Sequence, residues 1–353
     1  MNLKTNKEHF LMRNLINSII CVLIALSASS QFKTKKFIKR NKKAPTFQYD
    51  NSDIYARALY YEDGRLFIGN SDGSLYFYKV STGKSQLIFN LPDFHEMRDI
   101  AVVNDKILGM QSASNGKMLM LDLKGSLKVL KPTFWDSVFL DGMDFLGNRG
   151  FLMGDPRNTT FSLFHTNDGG KNWSECVGKV TANKGEAGFA ASGTNVQIIN
   201  DSTYVFISGG LNSRFFKSTN NGDTWTNVEL PYYPGESNGA YSMCFMNDSI
   251  GAIVGGDYKD PDIRLNVSFY TTDGGETWFN SEHPVRGYRS CVVEKAGIYY
   301  TCGRNGIDFS LNGGIDWIPF ANGAFFSMTT SENKLIATMK NGTLKFFELI
   351  DNK

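Results

Sequence analysis

The sequence predicts an all-β protein folded as a seven-bladed β-propeller, and three observations carry that prediction. The first is a box of eight residues written four times: Thr166–Trp173, Ser218–Trp225, Thr271–Trp278 and Ser310–Trp317, starting 52, 53 and 39 residues apart. Self-similarity at such a period signals a repeat architecture. The second is composition: 27 Phe, 15 Tyr and 35 Gly favour many short strands joined by tight turns. The third is a strand–turn–strand unit that precedes each box and recurs without one, as in Ala58–Gly69, Ile100–Gly109 and Met328–Met339.

From the N-terminus, Lys4, Lys7 and Arg13 precede an apolar run from Ile19 to Leu26 and the small residues Ser27–Ser30. This is the order of a secretory signal peptide, and the run is too short to span a membrane. Residues 1–30 therefore read as a cleaved signal, with Met12 as an alternative start, and the protein as exported to the periplasm or beyond. Residues 31–44 read as a disordered basic linker, since Lys33, Lys35, Lys36, Lys39, Arg40, Lys42 and Lys43 crowd into it. The body beyond it holds 27 basic against 34 acidic residues. A basic arm ahead of an acidic domain suits an anionic surface or the domain itself, and equally a solvated linker.

Residues 45–353 read as the propeller, in units starting near residues 55, 96, 140, 188, 240, 287 and 324. Small sheets that bury both faces explain strands apolar almost throughout. The last unit lacks a fourth strand, and Thr46–Tyr49 is the segment expected to close the ring. Cys291 and Cys302 flank a hairpin turning at Lys295-Ala296-Gly297, so they face each other; a disulfide and two buried thiols both remain open.

The boxes are turn chemistry. Their Gly supplies positive φ, and Asp168, Asn220, Asp273 and Asn312 accept hydrogen bonds from their own turns. Trp173, Trp225, Trp278 and Trp317 then tuck against neighbouring sheets. These carboxylates resemble catalytic groups and are expected to be structural.

The boxes are similar to Asp-boxes, or BNR repeats, of sialidases and of photosystem II stability/assembly-factor-type propellers. The phrases Phe139–Phe145, Met153-Gly-Asp-Pro156, Gly185–Thr194, Val254–Tyr258 and Gly287–Ser290 resemble an exported bacterial family of the latter, YVTN/BNR-like kind, over about residues 50–350. That family often carries the label oxidoreductase or glycosyl hydrolase, which no residues of this chain explain. The resemblance implies an assembly or stability role with an envelope partner.

With strands A to D running outward in each blade, A–B turns share a face with the boxes. B–C loops and D–A connections collect at the opposite mouth of the channel. Arg57, Arg98 and Arg289 take equivalent positions there, just before strand A turns apolar. Asp99, Asp141, Asp155, Glu186, Asp257, Tyr258 and Tyr288 are expected to join them. Loops on a rigid scaffold are where binding residues concentrate. The first reading is a non-catalytic scaffold that binds an envelope protein or a glycan at this mouth. The other reading is that the Arg and Asp residues pair with one another and seal the channel.

The alternative is a sialidase-like glycoside hydrolase or another carbohydrate-active enzyme, using Asp141, Asp144, Asp155 or Glu186. Sialidase chemistry needs an arginine triad, a Tyr–Glu pair and an acid/base Asp, but the Arg-Ile-Pro phrase expected near a sialidase N-terminus is absent. His9, His95, His165 and His283 lack metal-ligand spacing. Neither a phosphate-binding glycine loop nor a nucleophile elbow occurs. No cofactor, metal or nucleic acid is expected.

Overall fold

The structure, a computed structural model, describes residues 53–122, 127–130 and 137–349 together with the backbone of Ile38–Arg40. Its strands form seven antiparallel sheets, the blades of a β-propeller. Among the described residues helix is limited to short 3-10 turns, Pro92–Phe94 and Lys340–Gly342. No described helix is long and apolar enough to cross a membrane.

Blade 1 is Ala56–Glu62, Arg65–Asn70, Ser74–Lys79 and Lys84–Asn90, and blade 2 is Met97–Val103, Lys106–Gln111, Met118–Asp122 and Leu127–Leu130. Blade 3 is Leu140–Leu146, Arg149–Arg157, Thr160–Thr166 and Ser174–Glu175, and blade 4 is Val196–Ile198, Tyr204–Ile207, Arg214–Ser218 and Thr226–Glu229. Blade 5 is Asn238–Phe245, Gly251–Asp257, Ser268–Thr271 and Phe279–Asn280, and blade 6 is Cys291–Lys295, Ile298–Gly303, Gly306–Ser310 and Ile318–Ala321. Blade 7 supplies only Met328–Thr330, Lys334–Thr338 and Leu344–Leu349 from the C-terminal end of the chain.

The fourth strand of blade 7 comes from the N-terminal side, as the sequence suggests, but from Ile38–Arg40, which pairs with Phe347–Leu349. An unpaired edge on Leu344–Leu349 attracts whichever segment reaches it. Thr46–Tyr49, expected to do this, lies outside the described residues, as does the signal-like segment.

Inner strands diverge around the channel and cannot pair with one another, so their inward backbone groups need other partners. Side chains of the preceding blade supply them. Asp99 accepts from Met143 N–H at 2.9 Å and Asp144 from Ile198 N–H at 2.7 Å. Gln197 accepts from Phe245 N–H at 2.8 Å, and Ser242 from Val292 N–H at 2.7 Å. Thr338 of blade 7 joins blade 1 by donating to Ala56 C=O at 3.0 Å.

The box tryptophans close the grooves between blades. Trp173 packs with Leu108 and Met110 of blade 2, and Trp225 lies 5.6 Å from Phe151 of blade 3. Trp278 lies edge-on to Phe215 of blade 4 at 5.1 Å, and Trp317 packs with Ala252 and Val254 of blade 5. Each blade's box thus plugs the groove behind it. Between blades 1 and 2, where no box exists, a cavity of 540 Å³ remains between Phe67, Phe77, Ile88, Phe89, Ile107 and Leu121.

The boxes themselves are built as expected. Asp168 Oδ1 accepts from Lys171 and Asn172 N–H at 2.9 and 3.0 Å, and Asp273 Oδ1 from Thr277 N–H at 3.0 Å. Asn220 and Asn312 each accept from the residue four positions on, at 3.0 Å. Gly169, Asn221 and Gly274 donate to carbonyls of the A–B turns, at Asn148, Ser202 and Ser249. Boxes and A–B turns therefore share one face.

Candidate functional site

The opposite mouth is shaped by a defect repeated in the inner strands. In blade 1, Ala56 and Ala58 face Asn70 and Gly69, leaving Arg57 as an extra residue. The same skip leaves Arg98 in blade 2, Asp141 in blade 3 and Tyr241 in blade 5. In blade 6, Ser290 N–H bonds the Cys302 carbonyl although Cys302 already faces Cys291. A β-bulge bends its strand and re-aims one side chain. Four of these bulge residues, Arg57, Arg98, Tyr241 and Ser290, line a single cavity of 530 Å³ with Asp155, Tyr258, Tyr288, Arg304 and Phe326.

The strap Gly185–Ala191 crosses beside this cavity. Its Glu186–Ala187 pairs with Gly209–Gly210, and Gly209 pairs in turn with Gly239. Only glycine permits that approach, since any side chain at Gly239 would strike the Gly209 backbone. Charged residues tether the rest of the strap. Arg57 donates to the Ala191 carbonyl at 3.2 Å, Arg98 to the Ala190 carbonyl at 2.7 Å, and Gly188 N–H donates to Asp155 at 2.9 Å.

Arg57 also stands over the rings of Tyr55 and Phe326, 5.4 and 5.0 Å from their centroids, and its Nε has no partner among the described residues. Burial, reinforced by the nearby Arg98, pulls its pKa below the ordinary value. Arg98 pairs with Glu96 at 2.6 Å, and Glu96 accepts from the Tyr55 hydroxyl at 2.7 Å. Across the cavity runs an aromatic ladder. Phe189 stacks on Tyr241 at 4.3 Å, Tyr288 meets Tyr241 edge-on at 4.9 Å, and Tyr258 meets Tyr288 at 6.4 Å. Tyr258 is 39 % exposed, which leaves its ring available at the rim. Burial pushes the Tyr288 hydroxyl up to about 12, so it stays protonated.

Several expected members stand elsewhere. Arg289 is the clearest correction: it is fully buried and bonds Asp308, which also holds Arg286 at 2.6 Å. It sits one residue before the bulge residue Ser290, and a one-residue slip sends a strand side chain to the other face. Glu186 is likewise buried, held by Arg214 at 2.5 Å and by Ser208 and Asn183. Asp99, the residue after a bulge, turns into the channel as an interblade latch. Asp257 accepts from Ser237 and Lys259 and fixes its own loop.

Asp141 is a bulge residue, but it lies wholly buried beneath Gly188, and neither carboxyl oxygen reaches hydrogen-bonding geometry with a described group. Burial, and then the Asp155 charge, push its pKa well above the ordinary carboxylate range. Burial raises Asp155 to about 6 against the pull of Gly188 N–H. The mouth thus brings together Arg57, Arg98, Asp155, Tyr258 and Tyr288 from the sequence reading. Tyr55, Glu96, Tyr241, Ser290, Arg304 and Phe326 were missed, and the bulge position was the signal that would have found Tyr241 and Ser290.

A larger cavity of 650 Å³ opens the channel from the box side, lined by inner strands of all seven blades. Its acids Asp99 and Asp144 are latched to neighbouring backbone, and Glu294 accepts from Gly297 N–H. The mouth, by contrast, presents guanidinium groups and rings whose polar valences are only partly used. Neither Tyr258 nor Tyr288 pairs with Glu186, so the Tyr–Glu arrangement of sialidase chemistry is not assembled from the expected residues. Among the described residues no group of three His, Cys, Asp or Glu converges on a metal position.

Comparison with known proteins yields no matching family model and no matching curated protein. Solved structures do resemble the chain. A catalytically inactive variant of virginiamycin B lyase from Staphylococcus aureus, with quinupristin, is 17% identical at TM-score 0.62, covering 86% of this chain and 98% of the lyase. YCF48 bound to a D1 peptide is 14% identical at TM-score 0.60, covering 89% of this chain and 100% of that one. The WD40 propeller domain of Doa1 is 9% identical at TM-score 0.60, with 86% and 95% covered. At these identities the likeness establishes the propeller fold and nothing finer.

Proposed function

We propose that this chain is an exported, non-catalytic propeller that binds a segment of an envelope protein at the mouth opposite the boxes, in an assembly or stability role. The observation that carries the proposal is the ring of bulges, which delivers Arg57, Arg98, Tyr241 and Ser290 to one 530 Å³ cavity. Guanidinium groups beside exposed aromatic rings are what interface hot spots are made of. Of the acids an enzymatic reading would use, Glu186 is neutralised by Arg214 and Asp141 lies under the strap, which leaves Asp155 as the one carboxylate lining the cavity. YCF48, a propeller of similar fold, binds a peptide, which is consistent with this use of the architecture.

The test is a pull-down from envelope extracts with wild type and with the pair Arg98→Ala and Arg304→Ala. Loss of a partner that wild type retains supports the mouth. Identical partners for both proteins would overturn it. A glycan array run in parallel separates a protein partner from a glycan, and turnover of any bound glycan would replace the scaffold reading with an enzymatic one.

A further inference from the structure

We propose that Cys291 and Cys302 form a reversible cross-strand disulfide, a covalent staple between the two inner strands of blade 6 directly beneath the mouth. The structure holds them as free thiols. Three observations fit them to each other. They are register partners on adjacent antiparallel strands, so their Cα atoms stand opposite one another. Neither has any exposed surface, and the Cys291 thiol donates to the Met328 carbonyl at 3.6 Å. The Ser290 N–H bonds the Cys302 carbonyl at 2.8 Å, which ties the strand head beside the pair to the partner strand. Direct opposition on neighbouring strands is within the reach that a disulfide requires.

The surroundings also favour exchange at this pair. The neighbouring Cys302 thiol lowers Cys291 to about 7, while burial pushes Cys302 itself well above the ordinary thiol range. The thiolate is the attacking species in disulfide exchange. The remaining described cysteines provide an internal contrast. Cys244 stands opposite Ala252, and burial pushes its thiol up. Cys176 packs among Phe161, Val180 and Phe216, and burial raises it to about 12.

The oxidant is a small-molecule or protein disulfide, RS–SR. Cys291 as thiolate attacks one sulfur of RS–SR, forming the mixed disulfide Cys291–S–SR and releasing RS⁻, which takes up a proton. Cys302 loses its proton, attacks the Cys291 sulfur and expels the second RS⁻. Two protein thiols are oxidised, two electrons pass to the oxidant, and two RSH leave. Because both sulfurs are buried, the exchange takes place during folding or transient opening of blade 6.

The staple would clamp both flanks of the hairpin where it meets the mouth. Ser290 immediately precedes Cys291, and Arg304 follows Cys302 by two residues; both line the cavity. Ser290 is further tied to the Phe326 carbonyl at 2.8 Å and accepts Ser192 on its own carbonyl at 2.8 Å.

The experiment refolds the full chain in a glutathione redox buffer, alkylates it under denaturing conditions and maps its peptides by mass spectrometry. The expected result is one linked pair, Cys291 with Cys302, with Cys176 and Cys244 alkylated. Four alkylated cysteines, or any other pairing, would overturn the proposal. A second measurement compares thermal unfolding before and after reduction. Closing a loop of this size should raise Tm by about 5 °C in the wild type, and reduction should leave the Cys291→Ala, Cys302→Ala double variant unchanged. A wild-type Tm indifferent to reduction would overturn the staple even if the bond were detected.

Discussion

At the box end of the ring, Asp168 and Asp273 accept several hydrogen bonds from their own turns, whereas near the mouth Asp141 is buried and Asp155 half-buried with few donors. For Asp273 burial alone would raise the pKa, but the Thr277 hydroxyl and N–H and the Thr271 hydroxyl outweigh it and bring it down to about 2. For Asp155 burial wins and the pKa rises to about 6. The same residue type, carried by the same repeated blade, is therefore tuned in opposite directions at the two ends. The cause lies in the connections. A C–D turn closes on itself and supplies its own donors, while a bulge at the head of an inner strand pushes a side chain out of the ladder. One end spends its polar groups on holding turns; the other leaves guanidinium groups and rings partly unused.

If that contrast is right, the largest stability loss comes from uncoupling the buried charges below the mouth. Asp308→Ala leaves Arg289 buried with no carboxylate and also strips Arg286. Breaking a buried pair in this way costs about 5 kcal/mol, read as a lower denaturation midpoint in urea. Next is Trp173→Ala at the box end, which empties a buried indole site between blades 2 and 3 and costs about 3 kcal/mol. The comparison predicts that Trp173→Ala protein still binds the partner when assayed below its melting temperature. Lost binding by fully folded Trp173→Ala protein would break the division of labour between the ends.

A smaller effect appears on titration. Burial raises Asp144 to about 6 despite the hydrogen bonds from Ile198 and Phe145 N–H. Between about pH 4 and pH 6 the folded state keeps a proton that the unfolded chain has released, so stability is greatest below the unfolded pKa and falls as pH rises through the folded one. Asp99, Asp141 and Asp155 shift in the same direction. Asp144→Asn keeps an acceptor for Ile198 N–H and removes the titration. Its stability should exceed that of wild type at pH 7 relative to pH 4 by on the order of 2 kcal/mol. Equal slopes for the two proteins over this range would overturn the raised pKa of Asp144.

Blade number, box geometry and the sharing of a face by boxes and A–B turns were legible in the sequence because each rests on local chemistry repeated at a fixed period. Closure from the N-terminal side was legible as a missing strand, but not which segment fills it, because an edge accepts many registers. The mouth was harder. Arg57, Arg98 and Arg289 look equivalent when aligned by the apolar run that follows them, yet the bulge in blade 6 falls on Ser290, one residue later. Glu186 looked like a channel acid because its partner Arg214 lies 28 residues on, and such a pairing has no local signature. Asp141 was expected at the mouth and does occupy a bulge position, but the Gly188 strap above it removes it from the cavity.

Arg98→Ala is the smallest change in stability and the sharpest test of the mouth. Arg98 is partly exposed and binds Glu96 and the Ala190 carbonyl, so its removal frees one carboxylate that water can reach and loosens one end of the strap. Partly exposed ion pairs contribute about 0.5 kcal/mol, and the denaturation midpoint should move accordingly little. The strap would remain anchored through Arg57 and through Asp155. Partner affinity should nevertheless fall at least tenfold, because a guanidinium at the centre of a cavity is worth more to a bound segment than to the free fold. A variant that loses several kcal/mol of stability would instead mark Arg98 as part of the scaffold, on the same footing as Arg289, and the distinction between the two ends of the ring would fail at its central residue.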